Sequence, residues 1–180
     1  DWEESVSSAQ PVSPLRLGAP LPTVVSIIPV VFVTNRVFLN TKPSDVGKLA
    51  DQILHKVERM AAEDGVRLTE LQLDCDWTER TRASYFRFLE IIGRNLHKQK
   101  QTLSSTIRLH QIKYPERTGV PPVDRGMLML YNFGPLRADA IRSSIFNVED
   151  AERYTAHIAS YVLPLEVALP VFSWTVHSRD

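Results

Sequence analysis

Two hydrophobic rhythms alternate along this chain. Residues 23 to 39 are dense in β-branched and aromatic side chains (Val24, Val25, Ile27, Ile28, Val30, Val31, Phe32, Val33, Val37, Phe38), which predicts a strand interrupted near Pro29. Ser44, after Pro43, is placed to cap a helix whose apolar positions Val46, Leu49, Ala50, Ile53, Leu54, Val57, Met60 and Ala61 recur with a 3.6 period, and Gly65 suits its exit. The rhythm then changes to period two: Leu71, Leu73 and Cys75 fall on one side of a strand, Gln72, Asp74 and Asp76 on the other. A second helix carries Tyr85, Phe88, Leu89, Ile92 and Leu96 on one stripe. Residues 103 to 112 read as a strand in which Thr106, Arg108 and His110 alternate with Ile107, Leu109 and Gln111. After a link rich in proline and glycine with room for a short helical turn at most, residues 126 to 132 form a compact apolar strand ending in Tyr131-Asn132. A third helix over 149 to 162 runs through Ala151, Tyr154, Ile158 and Val162, and a last strand over 166 to 174 ends in Ser173-Trp174. Residues 1 to 22 hold Pro11, Pro14, Pro20 and Pro22 without apolar period and read as an irregular arm.

Strand and helix alternate, which favours parallel βαβ units over a sandwich or a bundle. The acidic strand sharpens the point. An antiparallel surface strand keeps its acids in water, whereas parallel strands are normally covered on both faces, so two carboxylates on one face need a reason. The end of a barrel strand supplies one. A complete eight-stranded barrel takes about 250 residues, and about five strands are legible here. Residues 23 to 180 therefore read as an α/β domain, a parallel (β/α) barrel incomplete within this chain or else an open α/β sheet.

Composition narrows the partners. Lys plus Arg and Asp plus Glu each number 21 among 180 residues, so the net charge is zero and no global field draws the chain to nucleic acid or anionic lipid. The longest nearly apolar run is about 11 residues and contains Pro29, short of the roughly 20 that a membrane span needs. A single cysteine excludes an internal disulfide and leaves the compartment open. Residue 1 is Asp, which fits either an exported protein whose leader has been removed or a start within a gene. There is no Walker loop, dinucleotide fingerprint, serine elbow or paired-cysteine metal motif, so no cofactor is expected. Asp74, Asp76 and His110 match no compact metal signature either. The oligomeric state is not written in these patterns.

The segment Leu73-Asp74-Cys75-Asp76-Trp77-Thr78 resembles the Asp-x-Asp-x-Glu signature of glycoside hydrolase family eighteen, the chitinase-like barrels, where it ends the fourth strand. Met129-Leu130-Tyr131-Asn132 resembles that family's Met-x-Tyr-Asp/Asn motif on the sixth strand, and Trp174 falls where a late-strand aromatic would. The order LQLDCDWTERTRASYFRFL, MLMLYNFG, VALPVFSW is similar to an uncharacterised bacterial domain family with a glycosidase-type barrel, over roughly residues 24 to 175. The resemblance implies a carbohydrate-active protein acting on an oligosaccharide or polysaccharide. One position departs: Thr78 stands where the signature has the glutamate that protonates the leaving oxygen, and a threonine hydroxyl cannot do so at neutral pH.

Glycoside cleavage needs a protonated acid and a second group that stabilises positive charge at the sugar carbon, a carboxylate or the substrate's own acetamido group. Asp74 and Asp76 lie two apart on one strand face, their Cβ atoms about 7 Å apart, where burial and mutual repulsion raise one of the two pKa values. Asp76 is then the first acid candidate, or the group that orients an acetamido oxygen, and Glu79 is the second acid candidate, reached by a bend at the strand end. Tyr131 and Asn132 are candidates to position the reacting acetamido group, Trp77 and Trp174 to stack on sugar rings, Arg108 and His110 to line the site. Each has a plainer reading: aspartates paired with Arg108 or Arg125, a tyrosine with one internal partner, a tryptophan in the core, Cys75 a buried small hydrophobe under a helix. A divergent hydrolase, a non-catalytic glycan-binding module and a structural or interaction domain all remain open at this point, because fold does not decide among them.

Overall fold

The computed structural model describes residues 2–5, 8–19, 25–133, 143 and 145–173. Five strands form one parallel sheet in chain order: β3 (Val30–Phe32), β4 (Glu70–Asp74), β5 (Thr102–Ile107), β6 (Arg125–Met129) and β7 (Leu165–Ala168). Helices separate them: α1 (Asn35–Asn40) and α2 (Val46–Glu63) before β4, α3 (Arg82–Lys98) before β5, α4 (Leu109–Lys113) and α5 (Pro115–Thr118) before β6, and α6 (Val148–Ser160) before β7. This is an α/β sheet of successive βα units, part of a (β/α) barrel.

Register assigns each side chain to a face. Leu71 pairs with Leu103, Leu73 with Ser105, Ser105 with Gly126 and Ile107 with Leu128, and the apolar members of these pairs belong to one buried cluster with the stripes of α2 and α3. The core between sheet and helices is apolar and includes Ile53, Leu71, Leu73, Phe88, Leu89, Ile92, Leu96 and Leu103, all without solvent exposure. Gly126 sits where a Cβ would come within 2.7 Å of both Ile107 Cγ1 and Leu165 Cδ2, so no larger residue fits there without movement. The opposite face carries polar side chains in three tiers. At the strand starts Arg125 donates to Glu70 (Nε to Oε1, 3.2 Å) and to Glu166 (2.6 Å). In the middle Gln72 donates to the Thr106 hydroxyl at 3.0 Å. At the carboxyl ends Arg108 donates to Asp74 at 2.8 Å. A barrel interior is usually packed with branched apolar side chains; here these charged and polar groups occupy that face and pair across strands, while the Ser104 hydroxyl on the same face is buried without a partner among the described residues.

Helices α2 and α3 lie close to where the 3.6 period predicts them, and Gly65 takes the left-handed backbone (φ 67°) expected at the exit. The α2 N-cap is Asp45, one residue after the expected Ser44. Two predicted strands are shorter than their composition suggests. The first ends at Phe32, and residues 35–40 form α1, because Val37 and Phe38 bury themselves as a helical pair; Phe38 meets Tyr85 and Phe88 of α3 edge-on at 5.2 and 5.3 Å. Tertiary burial overrides β propensity there. The strand expected over 103 to 112 stops at Ile107, and residues 109–113 turn into α4, whose Gln111 side chain reaches back to accept the Arg108 N–H at 2.7 Å. Strand β6 ends at Met129, before Tyr131-Asn132, and β7 ends at Ala168. The expected irregular arm begins instead with two antiparallel strands, β1 (Trp2–Ser5) and β2 (Ser8–Pro11). Pro11 closes that ladder at its end, where a missing N–H is tolerated.

Candidate functional site

The carboxyl ends of β4, β5 and β6 bring the candidates together in two small groups. Asp74 is the last residue of β4; its side chain is 20% exposed and faces that of Arg108, 24% exposed, just past β5. A second guanidinium nitrogen of Arg108 contacts the Met129 sulfur at the end of β6, so three adjacent strands converge on this arginine. Burial pushes the Asp74 carboxyl above the usual carboxylate range, while the Arg108 charge and a hydrogen bond from Thr106 pull it back and Asp76 adds a further upward push. Asp74 is thus the carboxyl that burial raises, whereas the Asp76 side chain lies beyond the strand end and is 59% exposed.

Asp76 forms the second group with His110 of α4, Oδ1 to Nε2, at 3.5 Å. Thr78, the residue in the glutamate position, lies in the turn that starts α3: its N–H donates to the Thr81 hydroxyl at 2.9 Å, which in turn donates to Asn35 Oδ1 at 2.6 Å. Glu79 is exposed and lies 3.7 Å from Arg117 of α5. Glu79 lies beyond β4, in the turn before α3, and its ion-pair partner differs from that of Asp76.

Trp77 departs from a sugar-stacking role. It has no solvent exposure, its indole N–H donates to the Thr118 carbonyl at 2.8 Å, and its ring stacks on Tyr85 at 5.2 Å. A ring enclosed in this way offers no face to a ligand; it anchors α5 to the core. Cys75 is likewise fully buried, and burial drives its thiol far up, which fits a small hydrophobe and not a nucleophile. Arg125 pairs with Glu70 and Glu166 at the opposite end of the strands and so does not hold the aspartates; Arg108 alone of the two does.

Tyr131 and Asn132 follow β6. The Tyr131 ring meets Phe172 edge-on at 5.9 Å, and Asn132 adopts a left-handed backbone (φ 59°) with its N–H on the Ile145 carbonyl at 2.7 Å. Among the described residues no hydrogen bond links either of them to Asp74 or Asp76. Trp174 lies outside the described residues. Thr106 and Gln72, which support Asp74 from below, were not singled out by sequence as a linked pair; the signal available was their shared period-two face.

No family model matches the sequence, and no curated protein matches it. Solved structures do share its fold. The sporulation-specific glycosylase candidate ydhD of Bacillus subtilis is 14% identical with a TM-score of 0.55, over 79% of this chain and 51% of that one. The spore cortex-lytic enzyme SleL of Bacillus cereus is 20% identical with a TM-score of 0.50, over 78% of this chain and 34% of that one. Catalytic domain 2 of the Ostrinia furnacalis Group II chitinase is 15% identical with a TM-score of 0.46, over 73% and 39%. The chain thus shares part of the (β/α) barrel fold of ydhD and SleL. The chain spans about half the length of ydhD and about a third of SleL.

Proposed function

We propose that this chain contributes the sugar-facing rim of a carbohydrate-active protein, at the carboxyl ends of β4 to β6. The observation that carries the reading is the stacked arrangement of acids there: a half-buried Asp74 held by Arg108, with the exposed Asp76 and His110 above it, at the end of the sheet where barrels of this type keep their sites. In a hydrolase, Asp76 or Glu79 delivers a proton to the glycosidic oxygen and Asp74 tunes it. Tyr131 and Asn132 position the group that attacks the sugar carbon, an acetamido oxygen in the chitinase-like scheme, and Trp174 stacks on a ring. Chito-oligosaccharides are the first substrates to try, since the resemblance and the fold both lead to them.

Thr78 favours a second reading, a glycan-binding module without turnover. With a threonine hydroxyl, 3.4 Å from that of Thr81 in a helix-starting turn, where the signature has its acid, the same rim holds a sugar without protonating it. The test is incubation with a panel of chito-oligosaccharides, followed by intact mass and new reducing ends, for the wild type and Asp76→Asn. Product lost on Asp76→Asn supports the hydrolase. Binding with every sugar intact supports the module, and neither binding nor product refutes both.

A further inference from the structure

A second recess lies beside this rim. It is a cavity of about 150 Å³ lined by Lys113, Phe133, Asp150, Arg153, Tyr154 and His157. Helix α4 contributes Lys113, one turn beyond the His110 that meets Asp76, so both project from the same helical face. Phe133 directly follows Asn132, and α6 supplies the rest. The recess and the candidate sugar rim thus share α4 and the segment that follows β6.

Its chemistry is one-sided. Among the described residues of the lining Asp150 is the only carboxylate, and Arg153 already holds it, Nη1 to Oδ1, at 3.1 Å. The Lys113 ammonium has no carboxylate partner among the described residues; it sits 5.4 Å from the centroid of the Tyr114 ring. Arg153 keeps further donors on its fork beyond the one spent on Asp150. Phe133 and Tyr154 form a wall of two rings 5.8 Å apart, with His157 at 6.3 Å from Tyr154. Pockets that take whole small molecules run from about 300 Å³ upward, so this one suits a substituent and not a separate ligand.

The geometry points to a subsite for an anionic substituent, a carboxylate carried by a sugar ring next to the one held at Asp76. Lys113 and Arg153 meet the charge while Phe133 and Tyr154 face the ring's C–H surface. This inference rests on the carbohydrate reading above and names its substrate class as acidic oligosaccharides.

The experiment uses isothermal titration of the full chain with a neutral chitotetraose and with an oligogalacturonate of equal length, repeated on Lys113→Gln/Arg153→Gln. In parallel, amide shifts are followed by NMR during titration with inorganic phosphate. The expected result is an acidic oligomer bound on the order of tenfold more tightly than the neutral one, an advantage that salt reduces and the double variant removes while neutral binding is unchanged. Equal affinities, or an advantage that survives in the double variant, overturn the subsite and leave the sugar reading standing. If neither oligomer binds but phosphate shifts the amides around Lys113 and Arg153, the sugar reading falls and the pocket is an anion site of another kind, which overturns the acidic-sugar assignment. If phosphate shifts nothing as well, both fall.

Discussion

Replacing Arg108 with Gln removes the charge that compensates Asp74 and keeps most of the side chain's volume. Exposed ion pairs contribute about 0.2–1 kcal/mol, and breaking a fully buried one costs about 3–5 kcal/mol. With the two side chains 24% and 20% exposed and 2.8 Å apart, this pair falls between those limits, at about 1–3 kcal/mol. In a domain of this length that lowers Tm by about 2–12 °C. The cost has a ceiling, because an Asp74 left alone can take up a proton, so Arg108→Gln should be more damaging at pH 8 than at pH 5. Asp74→Asn removes the charge that burial disfavours and should cost about 1 kcal/mol or less. The double variant should then be more stable than the sum of the singles implies, with a coupling of about 1–2 kcal/mol. Urea denaturation of the four proteins at both pH values measures all of this. A coupling near zero, or an Arg108→Gln cost that does not change with pH, would refute the pairing as the source of Asp74's environment.

Three further outcomes follow from the same geometry. Trp77→Phe keeps the core filled but leaves the Thr118 carbonyl without its indole donor, and should cost about 1–3 kcal/mol by thermal melt while leaving any sugar affinity unchanged; weakened binding without destabilisation would contradict the buried placement. Gly126→Ala drives a methyl into Ile107 and Leu165 and should cost about 1–3 kcal/mol, and a neutral result would mean β6 and β7 are not packed as described. For Asp74, whose carboxyl burial holds above its ordinary value, the native state binds more protons than the unfolded state as pH rises from the unfolded value, about 3.9, toward the raised one. Stability from this group therefore falls with rising pH across that window, and Asp74→Asn should flatten the fall. Denaturation midpoints with the same slope in both proteins would count against it.

Long helical stripes such as those of α2 and α3 were legible because burial repeats over many turns and leaves a sustained period. The acidic face of β4 was legible for a similar reason, since alternation alone separates Leu71 and Leu73 from Gln72 and Asp74. What sequence misread lies where the chain turns over the strand ends. At 35–40 and 109–113 the short helices α1 and α4 are set by Phe38 meeting α3 and by Gln111 reaching back to Arg108, and neither contact leaves a period. Trp77 is ambiguous in sequence for the same reason: a strand-end tryptophan is core or platform according to whether a carbonyl such as that of Thr118, 41 residues on, closes over it. The pairing of Arg125 with Glu70 spans 55 residues and becomes visible only once β4, β5 and β6 are ordered side by side.

Whether the rim at the ends of β4 to β6 holds a sugar decides the proposed function. Titrating the isotopically labelled chain with chitotetraose and following backbone amide shifts tests this without requiring turnover. The expected result is saturable shifts concentrated at Asp76, Thr78, His110 and Asn132, weakened in Asp76→Asn, with the Arg125 end of the strands unmoved. Shifts absent at millimolar sugar, or gathered at Glu70, Arg125 and Glu166, would contradict it.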